Sequence, residues 1–420
     1  MSKVIVIGGG IIGLASAYYL RKKGCEVVVL EKGEPGAACS RGNMGWICPT
    51  LSEPVPAPGL IKTTLKWMMS PDSPLYIKPT IVPSLFPWLY QFWRNCNKAA
   101  FEKGYDAGLM LSRETFNLFD ELERDKQVEF EMHRKGLLFV FLKENLVEEK
   151  FNELQRAAKI GLPLPEIKTR SEVLEMEPAL SDSIAGGLYL PAERHVRPES
   201  LSKGLYKWLV ENGVEVVTNC EVREFIRQEG KVTGVRTDHE VFEGDQYLLT
   251  TGVWTQQVLK FLDLNIPMTA GKGYSITISN PSSTINHPLY LGDSKVALSP
   301  FNDAIRIGGT MELSGINTNM NTQRVNSLEN GVSKYLRSSI NGSKQVWVGM
   351  RPMTPDGLPI LGRVPTFNNL YVASGHAMSG VSMSLATGVT MANFIYDSQS
   401  PVDLTPFSPE RFSLTAANRT

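Results

Sequence analysis

Val4, Ile5, Val6 and Ile7 form an unbroken apolar, β-branched run, the pattern of a strand buried on both faces of a parallel sheet. The period then changes. Ile12, Leu14, Ala15, Ala17, Tyr18, Tyr19 and Leu20 supply an apolar helical face, and Lys22, Lys23 and Gly24 a basic last turn and a glycine stop. Residues 26–31 (Glu-Val-Val-Val-Leu-Glu) return to strand, so the chain opens with a β-α-β unit. Helical spacing predicts helices over 98–124 and 146–159, with a strand over 136–142 between them. A further helix is predicted over 198–212. Short runs over 214–217, 222–226, 230–236 and 243–249, separated by glycine turns, predict a β-meander returning to the central sheet. Alternation between 267 and 306, as in Tyr274-Ser275-Ile276-Thr277-Ile278, predicts a separate, largely antiparallel sheet. Residues 370–374 read as a last strand and 385–395 as a last helix. No internal repeat is present, and the alternation of elements predicts an α/β protein in which a Rossmann-type domain alternates along the chain with a sheet-based second domain.

Residues 54–93 break the pattern. Eight prolines interleave with Trp67, Met68, Met69, Tyr76, Phe86, Trp88, Tyr90, Phe92 and Trp93, a density that predicts no long helix. Residues 83–93 have the spacing of a short amphipathic helix, suited to buried packing, to a substrate entrance or to a bilayer surface.

Composition narrows the function. A chain of 420 residues buries a large core without staples. Its 43 basic and 43 acidic residues cancel, so no whole-molecule field favours nucleic acid. Five scattered cysteines without CxxC spacing argue against a disulfide framework and a zinc site, and five histidines without HxxxH spacing argue against any metal role. Lys3 and Ala15-Ser16-Ala17 imitate a secretory signal, but Gly8, Gly9, Gly10 and Gly13 interrupt the apolar run, so a cytoplasmic protein is expected, soluble or peripheral on the inner membrane face.

Those glycines carry the first chemistry. Gly8-x-Gly10-x-x-Gly13 follows a strand and opens a helix, and Glu31 closes the next strand. The first glycine permits the turn, the second lets backbone approach a pyrophosphate, the third lets helix and strand pack, and N–H groups at the helix start receive the phosphates. Glu31 would accept from ribose hydroxyls and repel a 2′-phosphate, which favours FAD or NAD over NADP.

Five further segments decide between those two: Ser40-Arg41-Gly42-Asn43-Met44-Gly45, Thr250-Thr251-Gly252-Val253-Trp254-Thr255, Gly271-Lys272-Gly273-Tyr274, Gly349 to Gly362 with its Arg351-Pro352 and Thr354-Pro355-Asp356-Gly357, and Ser374-Gly375-His376 to Gly380. In this order, over residues 4–395, they resemble the D-amino-acid oxidase (DAO) family of FAD-dependent oxidoreductases. Within it, Ala57-Pro58-Gly59, Lys66-Trp67-Met68 and Lys272-Gly273-Tyr274 are similar to the small subunit of bacterial D-amino-acid dehydrogenases. Asn43-Met44-Gly45, residues 54–93 and Ser408-Pro409-Glu410-Arg411-Phe412 are similar to glycine-oxidase-like and glyphosate-oxidoreductase-like members. The resemblance implies a glutathione-reductase-like arrangement: a discontinuous FAD-binding domain over 1–90, 193–265 and 346–400, a substrate domain over 91–192 and 266–345, and a tail over 401–420. It further implies that Gly8, Gly10, Gly13, Glu31, Ser40, Asn43, Gly45, Val222, Gly252, Gly375, Gly380, Val381 and Ser382 bind FAD. The turn containing His376 and Gly380 precedes a helix, where N–H groups can stabilise negative charge at the N1/O2 edge of the flavin. Some relatives attach FAD through a cysteine before the Thr-Pro-Asp segment; residues 340–362 contain none, so FAD is expected to be non-covalent.

The implied activity is oxidative deamination of a small amino acid, a D-amino acid, by hydride transfer from Cα to flavin N5. Arg351 matches the family's carboxylate-binding arginine and offers a bidentate fork, or it ties a loop to carbonyls. Tyr274 either reaches the substrate or packs in the sheet, and His376 either tunes flavin or contacts substrate. Arg306 reads as a solvated strand residue, His195 has no catalytic role, and Lys272 has no assigned place. Oxygen and a quinone are both open as electron acceptors. Alternatives are an oxidase or dehydrogenase of glycine or N-substituted glycines, a non-catalytic FAD-binding electron-transfer subunit, and a nicotinamide-dependent dehydrogenase.

Overall fold

The computed structural model describes residues 2–60, 75–412 and 415–416; Lys66, Trp67, Met68 and Met69 lie outside the described residues. The opening unit forms as its pattern requires, with β1 (Lys3–Ile7), α1 (Ile11–Lys22) and β2 (Glu26–Leu30). β1 runs parallel to β2 and to Gln246–Leu249, so every residue of its apolar run is enclosed. Val4, Val6, Val27 and Val29 pack into a core on one face of the sheet, and Ile5, Ile7, Val28 and Leu30 into a second core on the other. Each such burial contributes roughly 1.5–3 kcal/mol. The six-stranded central sheet has the order Glu215–Val217, β2, β1, Gln246–Leu249, Leu370–Ser374, Ile360–Arg363. Glu215–Val217 is thus a parallel edge strand of that sheet rather than part of a meander, while Val222–Gln228, Lys231–Thr237 and Val241–Phe242 make a separate antiparallel sheet.

The second sheet has nine strands and is mostly antiparallel. Its functional end is built from β3 (Thr269–Ser279), β4 (Ala304–Leu313) and β5 (Ser343–Met353), with β3 in the middle. Two strands fall across the expected domain boundaries: Leu75–Ile77 pairs with β4, and β5 pairs with β3, so both belong to this sheet. The proline-rich region holds a longer helix than its composition predicts. α2 (Val82–Asn95) spans 14 residues because Pro83 sits in the first turn, where its missing N–H is surplus, and only Pro87 interrupts the ladder. α2 buries Leu85 and Trp88, while Val82, Phe86, Tyr90 and Trp93 form an exposed stripe. No helix among the described residues is long and apolar enough to cross a membrane.

Candidate active site

Two cavities lie where the sheets meet. The smaller, about 190 Å³, is lined by Gly8, Gly10, Glu31 and Val222 together with Gly252, Gly375, Gly380 and Val381. Gly8 has φ +109°, a conformation that L side chains rarely adopt, and a Cβ there would stand 2.7 Å from the Thr250 carbonyl oxygen. Gly13 lies behind the cavity, where a Cβ would stand 1.9 Å from the Gly8 carbonyl oxygen; it packs α1 onto the loop. The Ser40 hydroxyl accepts from the Ile11 N–H at 3.1 Å, while the N–H groups of Gly10 and Ile12 have no protein acceptor among the described residues. Glu31 is oriented by N–H donors from Gly9 at 2.7 Å and Gly33 at 2.9 Å. Donors at a helix start with a carboxylate beside them match the needs of a pyrophosphate and its ribose. The residues present therefore fit a dinucleotide such as FAD.

The larger cavity, about 740 Å³, is lined by Arg351, Tyr274, Ser382, Trp347 and, from α2, Trp88 and Phe92. Cys39, Asn43, His376 and Ala377 line both cavities, so the two spaces abut across these residues. The loop carrying Asn43 is bolted to the turn carrying His376: Asn43 Nδ2 donates to the Met378 carbonyl at 3.2 Å, and the Cys48 N–H to Ser382 Oγ at 3.1 Å. Gly45 has φ +74° and packs on the Val196 carbonyl behind this loop rather than facing either cavity. In the turn itself, the N–H groups of Gly380, Val381 and Ser382 have no protein acceptor among the described residues. They are a ready set of donors for an anion.

Arg351 presents its guanidinium to the larger cavity. Nη1 donates to the Thr310 carbonyl at 2.9 Å, and no carboxylate pairs with it among the described residues. Burial lowers its pKa from the ordinary arginine value. His376 is buried with Nε2 2.9 Å from Thr387 Oγ1, and burial pushes its pKa down to about 3, so the imidazole is neutral near pH 7. Tyr274 combines both of its readings: it lines the cavity, but its hydroxyl donates to Glu312 Oε2 at 2.8 Å and accepts from the Asn321 N–H. Burial is the main reason its pKa is raised, with the Glu312 hydrogen bond adding to it. Lys272 is 1% exposed and donates to Glu312, Asn317 and the Asn319 carbonyl, which fixes it inside the sheet.

The expectation that Arg306 is solvated is corrected. It is 2% exposed, donates to the Arg41 carbonyl at 3.0 Å and the Asn43 carbonyl at 2.8 Å, and pairs closely with Glu199. The alternation of β4 shows which face Arg306 takes, but not that a loop from residue 40 onward covers that face. Trp347 and Thr310 were likewise missed; nothing in their local sequence marks them as cavity residues. His195 donates from Nε2 to the Pro300 carbonyl at 2.6 Å and stacks on His133, apart from both cavities.

Residues 3–394 match the DAO family, described as FAD dependent oxidoreductase. The D-amino acid dehydrogenase of Vibrio atlanticus is 30% identical over 421 residues, covering 98% of this chain and 100% of that protein. The D-amino acid dehydrogenase of Bradyrhizobium diazoefficiens is 29% identical over 423 residues, covering 98% and 99%. Among solved structures, glycine oxidase from Bacillus cereus shares the fold with a TM-score of 0.74 at 21% identity, covering 100% of this chain and 99% of that one.

Proposed function

The chain belongs to the DAO family of FAD-dependent oxidoreductases, and from that premise we propose that it oxidatively deaminates a small amino acid, a D-amino acid, to an imine that hydrolyses to a 2-oxo acid and ammonia. One observation supports this most: the cavity holding the uncompensated Arg351 guanidinium abuts the cavity holding Gly8, Gly10 and Glu31. FAD, when bound, supplies the two-electron acceptor that takes the hydride from Cα. The N–H groups of Gly10 and Ile12 would hold its pyrophosphate, with Gly13 setting their approach and Glu31 taking ribose hydroxyls. Val222 and Gly252 would flank the nucleotide, Ser40, Asn43 and Gly375 would shape its cavity up to the passage, and Gly45 would act from behind by setting the turn of the loop that carries Asn43. The donors at Gly380, Val381 and Ser382 would stabilise negative charge on the ring. Arg351 would hold the substrate carboxylate bidentately, so that Cα is positioned without a side-chain base. Neutral His376 contributes a polar contact rather than a charge, and Tyr274 closes the substrate side of the cavity with its hydroxyl committed to Glu312. FAD is held without a covalent link.

The chain's division into an FAD-binding part and a substrate part is supported by the two sheets, with 75–77 and 343–353 assigned to the substrate part. Oxygen or a quinone accepts the electrons. The exposed stripe of Val82, Phe86, Tyr90 and Trp93 on α2 favours peripheral contact with a bilayer carrying that quinone.

Anaerobic addition of D-alanine, D-proline, glycine and sarcosine to the purified yellow protein tests the activity. Bleaching of the flavin by D-amino acids is the expected result. Bleaching by glycine and sarcosine alone would move the reading to N-substituted glycines, and a flavin that never bleaches would make the chain an electron-transfer subunit. Arg351→Ala is expected to stay yellow while its rate of amino-acid-dependent flavin reduction falls by at least roughly 10²-fold.

A further inference from the structure

The nine-stranded sheet presents a floor of glycines beneath the large cavity. Gly271 and Gly273 lie two residues apart on β3, Gly349 pairs with Gly273 from β5, and Gly308 lies on β4. The space of each absent Cβ is taken by a neighbour. The sulfurs of Met353 and Met311 fill it at Gly271, the Trp347 ring at Gly349, Met44 at Gly308, and the Arg351 guanidinium at Gly273. A Cβ built at Gly273 would stand 2.3 Å from Cζ, Nη1 and Nη2 alike, so the planar group lies across this glycine.

A second hold comes from Thr310, whose carbonyl accepts from Arg351 Nη1. Its φ of +60° is uncommon for a β-branched residue, and its hydroxyl is buried without a partner. The cause is a bulge: β3 and β4 shift register between Lys272 opposite Glu312 and Tyr274 opposite Gly309, which leaves the extra residue turned. With no carboxylate partner among the described residues, the guanidinium is fixed by a seat and a carbonyl tether. Its other donors remain for a ligand.

We propose that Gly273 is a positioning residue for substrate recognition: the missing side chain sets the height and tilt of the Arg351 fork over the sheet. The proposal rests on Arg351 being the carboxylate clamp. A bidentate carboxylate needs two parallel N–H···O bonds of about 2.7–2.9 Å, a geometry that tolerates little tilt. The backbone at Gly273 is not left-handed, so alanine fits the main chain, and the atoms its methyl meets are the far end of a flexible side chain. Alanine should therefore displace the guanidinium and little else.

The test is a double-mutant cycle on the holoenzyme, with Gly273→Ala made in the parent and in Arg351→Ala, using an amino acid that bleaches the flavin. In the parent background, kcat/KM should fall on the order of 10²-fold, mostly through KM, with flavin content and Tm near parental. In the Arg351→Ala background the same change should cost less than about twofold. Benzoate, a carboxylate with no amine to oxidise, is titrated by the shift it causes in the flavin spectrum, which scores binding only on folded, flavin-loaded protein. Its affinity should weaken in parallel. A Gly273→Ala enzyme with parental KM and benzoate affinity beside a crippled Arg351→Ala enzyme removes the seat alone. Parental KM in Arg351→Ala removes both clamp and seat, and equal losses in both backgrounds make Gly273 merely structural.

Discussion

Glu193 is 2% exposed, with Oε1 accepting from the Thr50 hydroxyl and Oε2 buried without a partner. Burial raises its pKa from 4.5 to about 7, against the lowering effect of its hydrogen bonds. Between these values the folded chain holds a proton that the unfolded chain has lost, so stability falls as pH rises through the window. The loss by the upper end is about 3 kcal/mol. Glu193→Gln, neutral at every pH, should flatten this slope; urea unfolding at pH 5 and 8 that gives parent and variant the same difference would refute the assignment. His376 works in the opposite sense. Its pKa falls from 6.5 to about 3, so its contribution is present above 6.5 and is lost as pH falls towards 3. The place of Gly8, Gly10 and Gly13 at the start of α1 was legible from a local motif, whereas the place of Arg351 and His376 beside the cavities was suggested only by the family resemblance, because it depends on how distant segments pack. Tyr274 was legible only in part, since the carboxylate that holds its hydroxyl lies 38 residues away. Arg306 was misread because its burial is decided by the Arg41 and Asn43 carbonyls, which no periodicity in β4 can reveal.

At the scale of elements, α1 shows how unequal two glycines in one motif region can be. Gly24 ends the helix with φ +85° and open space around it, so Gly24→Ala should lower stability by about 1 kcal/mol and leave the protein yellow. Gly13→Ala would drive a methyl into the Gly8 carbonyl at 1.9 Å and the Thr250 hydroxyl at 2.7 Å, both held by the sheet. Such overpacking costs roughly 1–3 kcal/mol or more, and here it also moves the N–H donors of the helix start. Flavin content after gel filtration should therefore drop sharply in Gly13→Ala; a fully loaded variant would contradict the packing. This β-α-β unit was readable to within a residue because period, cap and glycine stop all lie inside the first 31 residues. α2 was under-read, since proline costs little in a first turn. The pairing of Leu75–Ile77 with β4 was invisible because partner choice in a sheet depends on chain segments far apart in sequence.

Across the whole molecule, the loop from Cys39 to Cys48 joins the two sheets, and Arg306 is its fastening. From β4 in the nine-stranded sheet, Arg306 grips the carbonyls of Arg41 and Asn43 and also Glu199, on the helix Pro198–Glu211 that packs its Leu201 and Leu205 against the central sheet. The same loop touches the turn carrying His376 through Asn43 and Cys48 and meets Trp347 of β5 at Gly42. A ligand spanning the two cavities would contact segments from both sheets, so its binding energy should report on how well they are joined. A ligand at 100 times its Kd stabilises the state that binds it by about 2.7 kcal/mol. Arg306→Ala frees the loop without altering a cavity-lining side chain, so it should weaken FAD and shrink the rise in Tm between apoprotein and protein in fixed excess FAD. It should also lower the Tm of the apoprotein, because Glu199 loses its partner, but by a smaller amount, since that carboxylate can reach water. An Arg306→Ala protein with the parental FAD-dependent rise would mean that the loop is held by its other contacts and that the two sheets are joined elsewhere.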